Sequence, residues 1–167
     1  MSRYRPPRPK SSPYITATGH AQLSAELKYL WKELRPAVTQ KVSEAAAMGD
    51  RSENAEYIYG KKQLREIDGR IAFLSKRLDA LTIVDRAPAD RARVFFGARV
   101  SVEDEAGALA TYQLVGPDEF DREAEFISVD SPMARALLGK RLDDEVDVVV
   151  GDERHSYCIT QITYDHV

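Results

Sequence analysis

Two runs of aliphatic residues, spaced three or four apart over about thirty positions each, constrain this 167-residue chain more than any other feature. Leu23, Leu27, Leu30, Leu34, Val38, Val42 and Ala45 make the first, and Leu64, Ile67, Ile71, Leu74, Leu78 and Leu81 the second. Such spacing lines side chains along one stripe of an α-helix, and a stripe this long needs a partner helix to cover it. Between the runs stands Gly49-Asp50-Arg51-Ser52-Glu53-Asn54-Ala55-Glu56-Tyr57, where glycine stops a helix and polar residues start another. The chain is therefore expected to fold back on itself as an antiparallel coiled-coil hairpin. At about 1.5 Å per residue each arm reaches about 45 Å, with acidic groups at its tip.

The first helix is expected from Thr16 or Thr18 to Met48, and the second from Ser52 or Glu53 to Leu81. Pro36 lies inside the first and predicts a bend near Arg35-Pro36, at a cost of about 3 kcal/mol against the packed seam. Gly69 lies inside the second and costs about 1 kcal/mol relative to alanine. Residues 1–13, rich in Pro, Ser and Arg, read as a flexible basic leader, and 14–85 as the hairpin with its tip at 49–57.

After Ala87-Pro88-Ala89-Asp90 the pattern changes to short β-like segments at 93–96, 98–102, 111–115, 125–129, 146–150 and 157–164. Among them Ser131 through Gly139 has the marks of a short helix, with a Ser cap, Pro at its first position and Gly past its end. Residues 86–167 thus read as an antiparallel α+β globule, and the whole chain as α+β.

Composition narrows the function classes. No apolar run is long enough for a membrane span, and the basic, proline-rich start has no apolar core of a secretory signal, so a cytoplasmic protein is expected. Cys158 has no second cysteine to pair with, and His20, His155 and His166 are scattered without zinc-site spacing. Net charge is −3, yet residues 1–82 carry +6 and residues 83–167 carry −9. So divided a charge favours a partner with several differently charged surfaces over simple duplex binding.

Two readings stand for the acidic tip. Asp50 followed three residues later by Glu53 is the spacing of a capping box for the second helix. The same pair is also what Mg²⁺ accepts, since that ion takes oxygen ligands and is commonly held by one or two carboxylates plus water and substrate oxygens. Two carboxylates alone make a poor site, so no tight binding to the free chain is expected; delivered beside an ion already held elsewhere, they could retain a second one for phosphodiester chemistry. Glu56 is more suited to positioning the tip or to a surface ion pair, and Tyr57 and Tyr59, which could stack on a base, are better suited to packing across the hairpin. Behind the tip, Lys61 and Arg65 share one helix face with no acidic neighbour at that spacing, and with Lys62 they are placed to guide a phosphate backbone.

The tip segment, together with Tyr29-Leu30-Trp31, Arg35-Pro36, the run from Lys61 to Asp68 and the run from Asp130 to Leu137, resembles the bacterial Gre transcript-cleavage factors, in particular their B-type branch. The likeness spans about residues 14–165. It implies an FKBP-like fold for the C-terminal domain and a monomeric factor that binds RNA polymerase, the hairpin entering the secondary channel and the globule docking at its rim. It implies no enzyme activity of the chain alone. Asp50 and Glu53 would help the polymerase hold a shared Mg²⁺ and hydrolyse its own backtracked transcript. A basic patch of Lys61, Lys62, Arg65 and Arg70 would contact the extruded RNA 3′ end, and Ser131, Pro132, Met133 and Arg135 would lie near the docking surface. Gly69 and Ala72 stand where this branch often has basic residues, which weakens the patch, and the leader is longer than the family norm.

Three rivals differ in class. A channel-binding regulator without cleavage would not need the Asp50/Glu53 pair. A peptidyl-prolyl isomerase, suggested by the implied fold, would need an aromatic proline pocket that the C-terminal sequence does not display, and fold alone does not carry function. A self-associating scaffold would need apolar residues outside the two seams, where Arg, Lys and Glu stand instead.

Overall fold

The computed structural model describes residues 7–49 and 54–164. They form two units, one of Thr18–Leu81 and the other of the chain on either side of it.

The first unit is the helical hairpin. Helix α1 (Ala17–Tyr29) runs through a π turn (Leu30–Leu34) into α2 (Arg35–Ala47), and α3 (Ala55–Ala80) returns alongside. The seam is as the spacing predicts: Leu23, Leu30, Val38, Ala45, Ile67 and Leu74 are buried, and Leu27, Leu34, Val42, Leu64, Ile71, Leu78 and Leu81 half-buried. Each fully buried side chain of this size contributes about 1.5–3 kcal/mol.

Pro36 is accommodated by the π turn directly ahead of it. Proline has no N–H and its ring crowds the carbonyl four residues back, here that of Lys32. The π turn lengthens the bonding step, so that the Arg35 N–H reaches the Leu30 carbonyl, five residues back. It also inserts one extra residue, and the most buried seam positions of the first arm accordingly step 23, 30, 38, 45 while those of the second step 60, 67, 74.

The helices approach closely at Gly60, where a Cβ would lie 2.7 Å from Val42 Cγ2. At Gly69 nothing lies within 4 Å of that position. Across the middle, Arg35 Nε is 2.7 Å from Asp68 and Arg70 is bidentate to Glu26 at 2.8 and 3.1 Å.

The second unit opens with β1 (Tyr14–Thr16), paired in parallel with β2 (Thr82–Val84). Then follow β3 (Arg99–Asp104), β4 (Leu109–Val115), β5 (Phe126–Ser128), α4 (Pro132–Leu137), β6 (Glu145–Val150) and β7 (Glu153–Thr163), the last five strands forming a sheet in the order β5-β4-β3-β7-β6. Alternation places Val146 and Val148 inside and Glu145 and Asp147 outside, and the core gathers Val100, Leu114, Ile159 and, from α4, Ala134 and Leu137. This is the sheet with a short helix that the resemblance implies.

Three details differ from expectation. The pairing of β4 with β5 is parallel, so the sheet is not wholly antiparallel. Residues 93–96 form no strand: Arg93 makes a single bridge to Arg141, Val94 bonds the backbone of Lys140 and Gly139, and the buried Tyr164 hydroxyl takes the flanking groups, donating to the Arg93 carbonyl and accepting from Phe95 N–H. Strands β1 and β2, at three residues each, are too short for alternation to reveal.

A clasp holds the entering chain to this unit. Glu119, buried to 1% exposure, accepts the Thr16 N–H at 2.9 Å and the Thr16 hydroxyl at 2.6 Å. Asp130 takes the Ser12 N–H at 2.9 Å and its hydroxyl, and Thr82 N–H reaches the Pro13 carbonyl at 2.7 Å. Gly116 admits the Tyr14 carbonyl so closely that a Cβ there would lie 2.2 Å from it. Burial raises the Glu119 pKa above the ordinary glutamate value, against the lowering effect of the two Thr16 hydrogen bonds.

Two predictions follow from packing and charge. Gly69→Ala should stabilise the hairpin by up to about 1 kcal/mol through helix propensity alone. Gly60→Ala gains the same propensity but must displace a stiff β-branched side chain at 2.7 Å, and should destabilise it by about 1 kcal/mol net, measured by helical circular dichroism on thermal unfolding. Glu119 with its raised folded pKa makes the folded state bind a proton more readily than the unfolded chain, so its charge costs stability at neutral pH and that cost fades as pH falls through the folded value. Glu119→Gln should therefore match or exceed the native chain in melting temperature at pH 7 and lose that margin on acidification, whereas Glu119→Ala, which removes the acceptor of the Thr16 donors, should be less stable by about 1–3 kcal/mol.

Candidate functional site at the hairpin tip

The tip is built by a single side chain that serves both helices. Asn54, in an extended conformation at the N-cap of α3, accepts the Tyr57 N–H on its Oδ1 at 3.1 Å. Its amide nitrogen meanwhile donates at 2.6 Å to the Ala45 carbonyl in the last turn of α2, an oxygen that also accepts the Met48 N–H. One residue thus caps an amino end and a carboxyl end together, which closes the hairpin about nine residues across the turn. Asparagine suits this because it carries an acceptor and a donor on one short planar group.

Helix α2 stops at Met48, whose N–H bonds the Ala45 carbonyl at 3.1 Å, and Gly49 follows with φ of 149°. That left-handed angle is open to glycine and strained for residues with a Cβ. Asp50 and Glu53 lie outside the described residues. The structure nevertheless corrects one expectation about them: α3 starts at Ala55 behind an Asn54 cap, so the capping role weighed for Asp50 belongs to Asn54.

Just behind the tip a groove of about 350 Å³ runs between the helices, lined by Val38, Lys41, Glu44, Ala45, Met48, Glu56, Tyr59, Gly60 and Gln63. Met48 and Tyr59 are largely exposed there, at 79% and 69%. Tyr59 therefore does not pack across the hairpin as its spacing suggested, while Tyr57 is half-buried. Sequence reasoning passed over Met48, and its position ahead of a helix-ending glycine gives no signal of exposure.

Of the basic residues, Lys61, Lys62 and Arg65 are exposed on the first turns of α3. At about 100° per residue, Lys61 and Arg65 lie within about 40° of one another and Lys62 about 60° beyond Arg65, so the three form one strip along one flank and the back of the helix. Arg70 is about 180° around from Lys61. It is engaged with Glu26 and lies over the Phe73 ring at 5.5 Å, so the structure does not bring it to that strip.

In the C-terminal unit, Ser131 caps α4, its hydroxyl accepting the Ala134 N–H at 3.2 Å, as expected. Pro132 and Arg135 are exposed, whereas Met133 is half-buried against the core. The clasp residue Asp130 immediately precedes them, which brings Ser12 beside this segment.

Comparison with known proteins agrees along the whole chain. Residues 13–83 match the family model described as "Transcription elongation factor, N-terminal", and residues 89–164 match "Transcription elongation factor, GreA/GreB, C-term". A transcription elongation factor GreB of Pseudomonas aeruginosa is 58% identical over 164 residues, covering 98% of both chains. One from Yersinia pestis is 60% identical over 153 residues, covering 92% of this chain and 90% of its own, and one from Xanthomonas axonopodis pv. citri is 54% identical over 165 residues and 98% of each.

The double cap predicts a graded response to substitution. Asn54→Asp keeps the acceptor for Tyr57 but sets an oxygen against the Ala45 carbonyl, and Asn54→Ala loses both bonds. Each should cost about 1–2 kcal/mol locally, read as faster amide exchange. With Asp the acceleration should concentrate in the last turn of α2; with Ala it should appear on both sides of the tip.

Proposed function

This chain belongs to the GreA/GreB family of transcription elongation factors, and from that premise we propose that it binds RNA polymerase through the secondary channel and stimulates the polymerase's own cleavage of backtracked RNA. The observation that carries the reading is the Asn54 double cap, because it gives the helix ends a structural closure that does not call on Asp50 or Glu53. We assign those carboxylates to chemistry at the tip of a hairpin whose helices are packed and cross-linked by ion pairs.

The donor set fits Mg²⁺, which takes carboxylate oxygens and completes its shell with water and substrate oxygens. When bound between tip and polymerase, the ion would supply Lewis acidity and a water activated for attack on a phosphodiester. The chain's own residues do the rest. Asp50 and Glu53 contribute anionic oxygens, Asn54 and the close contact at Gly60 fix the helix ends that present them, and Lys61, Lys62 and Arg65 attract the phosphates of the extruded 3′ end. Arg70 could join that contact only by releasing Glu26. The exposed Pro132 and Arg135 next to Ser131 offer the C-terminal unit's contact with the channel rim. On this reading the chain is a monomeric, non-enzymatic factor.

The test is RNA cleavage in a defined backtracked elongation complex, with polymerase binding measured in parallel. Asp50→Asn and Glu53→Gln should bind as the native chain does and lose at least tenfold in stimulated cleavage, about 1.4 kcal/mol or more of the barrier. Unchanged stimulation would remove the tip carboxylates from the mechanism, and unchanged binding without any stimulation by the native chain would favour a regulator that occupies the channel only.

A further inference from the structure

Halfway along the hairpin, away from the tip residues, the π turn lifts Trp31 to 58% exposure beside a groove of about 440 Å³ between α1 and α3. Leu27 and Ile71 form its apolar walls with Trp31, and Lys28 and Lys32 stand at its edge, one on α1 and one in the π turn. π turns are rare interruptions that commonly mark functional positions, and although this one accommodates Pro36, it also sets Trp31 and Lys32 at the groove.

The charges nearby divide into two groups. Arg35 is committed to Asp68 and lies over the Trp31 ring at 5.8 Å, and Arg70 is committed to Glu26. Lys28 and Lys32 have no carboxylate partner among the described residues. Two unpaired ammonium groups about 6 Å apart along the axis thus flank an apolar cleft with an exposed indole wall.

We infer that this groove is a docking site for an acidic amphipathic helix of a protein partner, one large apolar side chain entering between Leu27, Trp31 and Ile71 while carboxylates one helical turn apart meet Lys28 and Lys32. Helix-in-groove binding reads such anchors at this spacing, and the indole is the residue type that most often concentrates binding energy. A nucleic-acid base fits less well. Ser24 and Ser75 are the polar side chains of the groove besides the lysines, and Ser24 already faces His20, so the hydrogen-bonding edge of a buried base would go largely unsatisfied. The partner intended is RNA polymerase itself, so the inference rests on the function proposed above while adding a contact remote from the tip.

Trp31 is the chain's single tryptophan, which makes it a direct probe. With 5-hydroxytryptophan in its place, its emission can be followed against the polymerase's own tryptophans. Core RNA polymerase should shield it from acrylamide several-fold. Lys28→Glu with Lys32→Glu should weaken polymerase binding roughly tenfold, the double Lys→Arg variant should retain it, and saturating the Glu variant should restore the native cleavage rate, as expected of a docking contact. Circular dichroism of the Glu variant checks that the hairpin is intact, and Trp31→Ser, in which both lysines remain, should also weaken binding. Polymerase binding with Trp31 as quenchable as in the free chain would overturn the inference and leave the cleavage reading standing; no polymerase binding at all would overturn both. Equal shielding by single-stranded polyuridylate alone would make the occupant nucleic acid, and shielding that rises with chain concentration alone would make it a second copy, either of which overturns the protein-helix assignment.

Discussion

Everything the hairpin does depends on keeping two apolar stripes face to face over its full length. Helices of 3.6 residues per turn drift relative to a strict seven-residue repeat, so a long seam must either supercoil or take up the mismatch locally. This hairpin makes one local adjustment. The eight-residue step from Leu30 to Val38 contains the π turn, and that turn also supplies a backbone geometry in which Pro36 needs no hydrogen bond from its nitrogen. One irregularity therefore answers two constraints, the missing donor and the register. Toward the tip the seam changes character, with Gly60 allowing the Val42 side chain to approach almost to the backbone of α3. Small residues there narrow the hairpin toward the segment that joins α2 to α3, and Asn54 finishes the closure with hydrogen bonds.

The C-terminal unit is organised around a different problem, that of holding the strand by which the chain enters. Strand β1 offers only three residues of pairing, too little for stability by itself. Its hold is completed by polar contacts, with carboxylates taking both the N–H and hydroxyl of Ser12 and of Thr16, and by the buried Ile15. Burying a carboxylate at 1% exposure is costly unless its oxygens are bonded, and Glu119 spends both of them on Thr16. Gly116 belongs to the same device, since any side chain would collide with the Tyr14 carbonyl.

How much of this was legible follows from the kind of signal each element leaves. The seams were readable because burial repeats over many turns, and α4 because Ser131, Pro132 and Gly139 each punctuate it. The π turn was in the sequence as well, as three consecutive four-residue steps through Leu30, Leu34, Val38 and Val42, but a proline in the same stretch offered the simpler account of a bend. Strands β1 and β2 left no alternation to find. The segment 93–96 looked like a strand because Val94 and Phe96 alternate with polar or exposed positions, yet its backbone is shared between the chain at Gly139-Lys140 and a tyrosine hydroxyl about seventy residues away, which no local pattern encodes. At the tip, the Asp50–Glu53 spacing imitates a capping box, and Asn54 was overlooked as the actual cap because asparagine's second role, donating to Ala45, depends on the returning helix.

The sorting of the basic residues shows the same limit and carries a functional consequence. The residues themselves group Lys61, Lys62 and Arg65, and the family resemblance adds Arg70 to the same patch. The wheel separates Arg70 from the others, and the Glu26 contact uses its planar fork in the geometry arginine serves best. A lysine at 70 would keep the charge and lose the bidentate bond. Arg35 is bound to Asp68 through its Nε, so the hairpin's middle uses Arg35 and Arg70 to cross-link the helices and leaves Lys28 and Lys32 exposed. Exposed ion pairs of this kind contribute little each to stability, about 0–1 kcal/mol, but they fix which charges are left unneutralised. The charge available to a partner is then lysine-rich at the groove beside Trp31 and along the strip that leads from Arg65 to the tip.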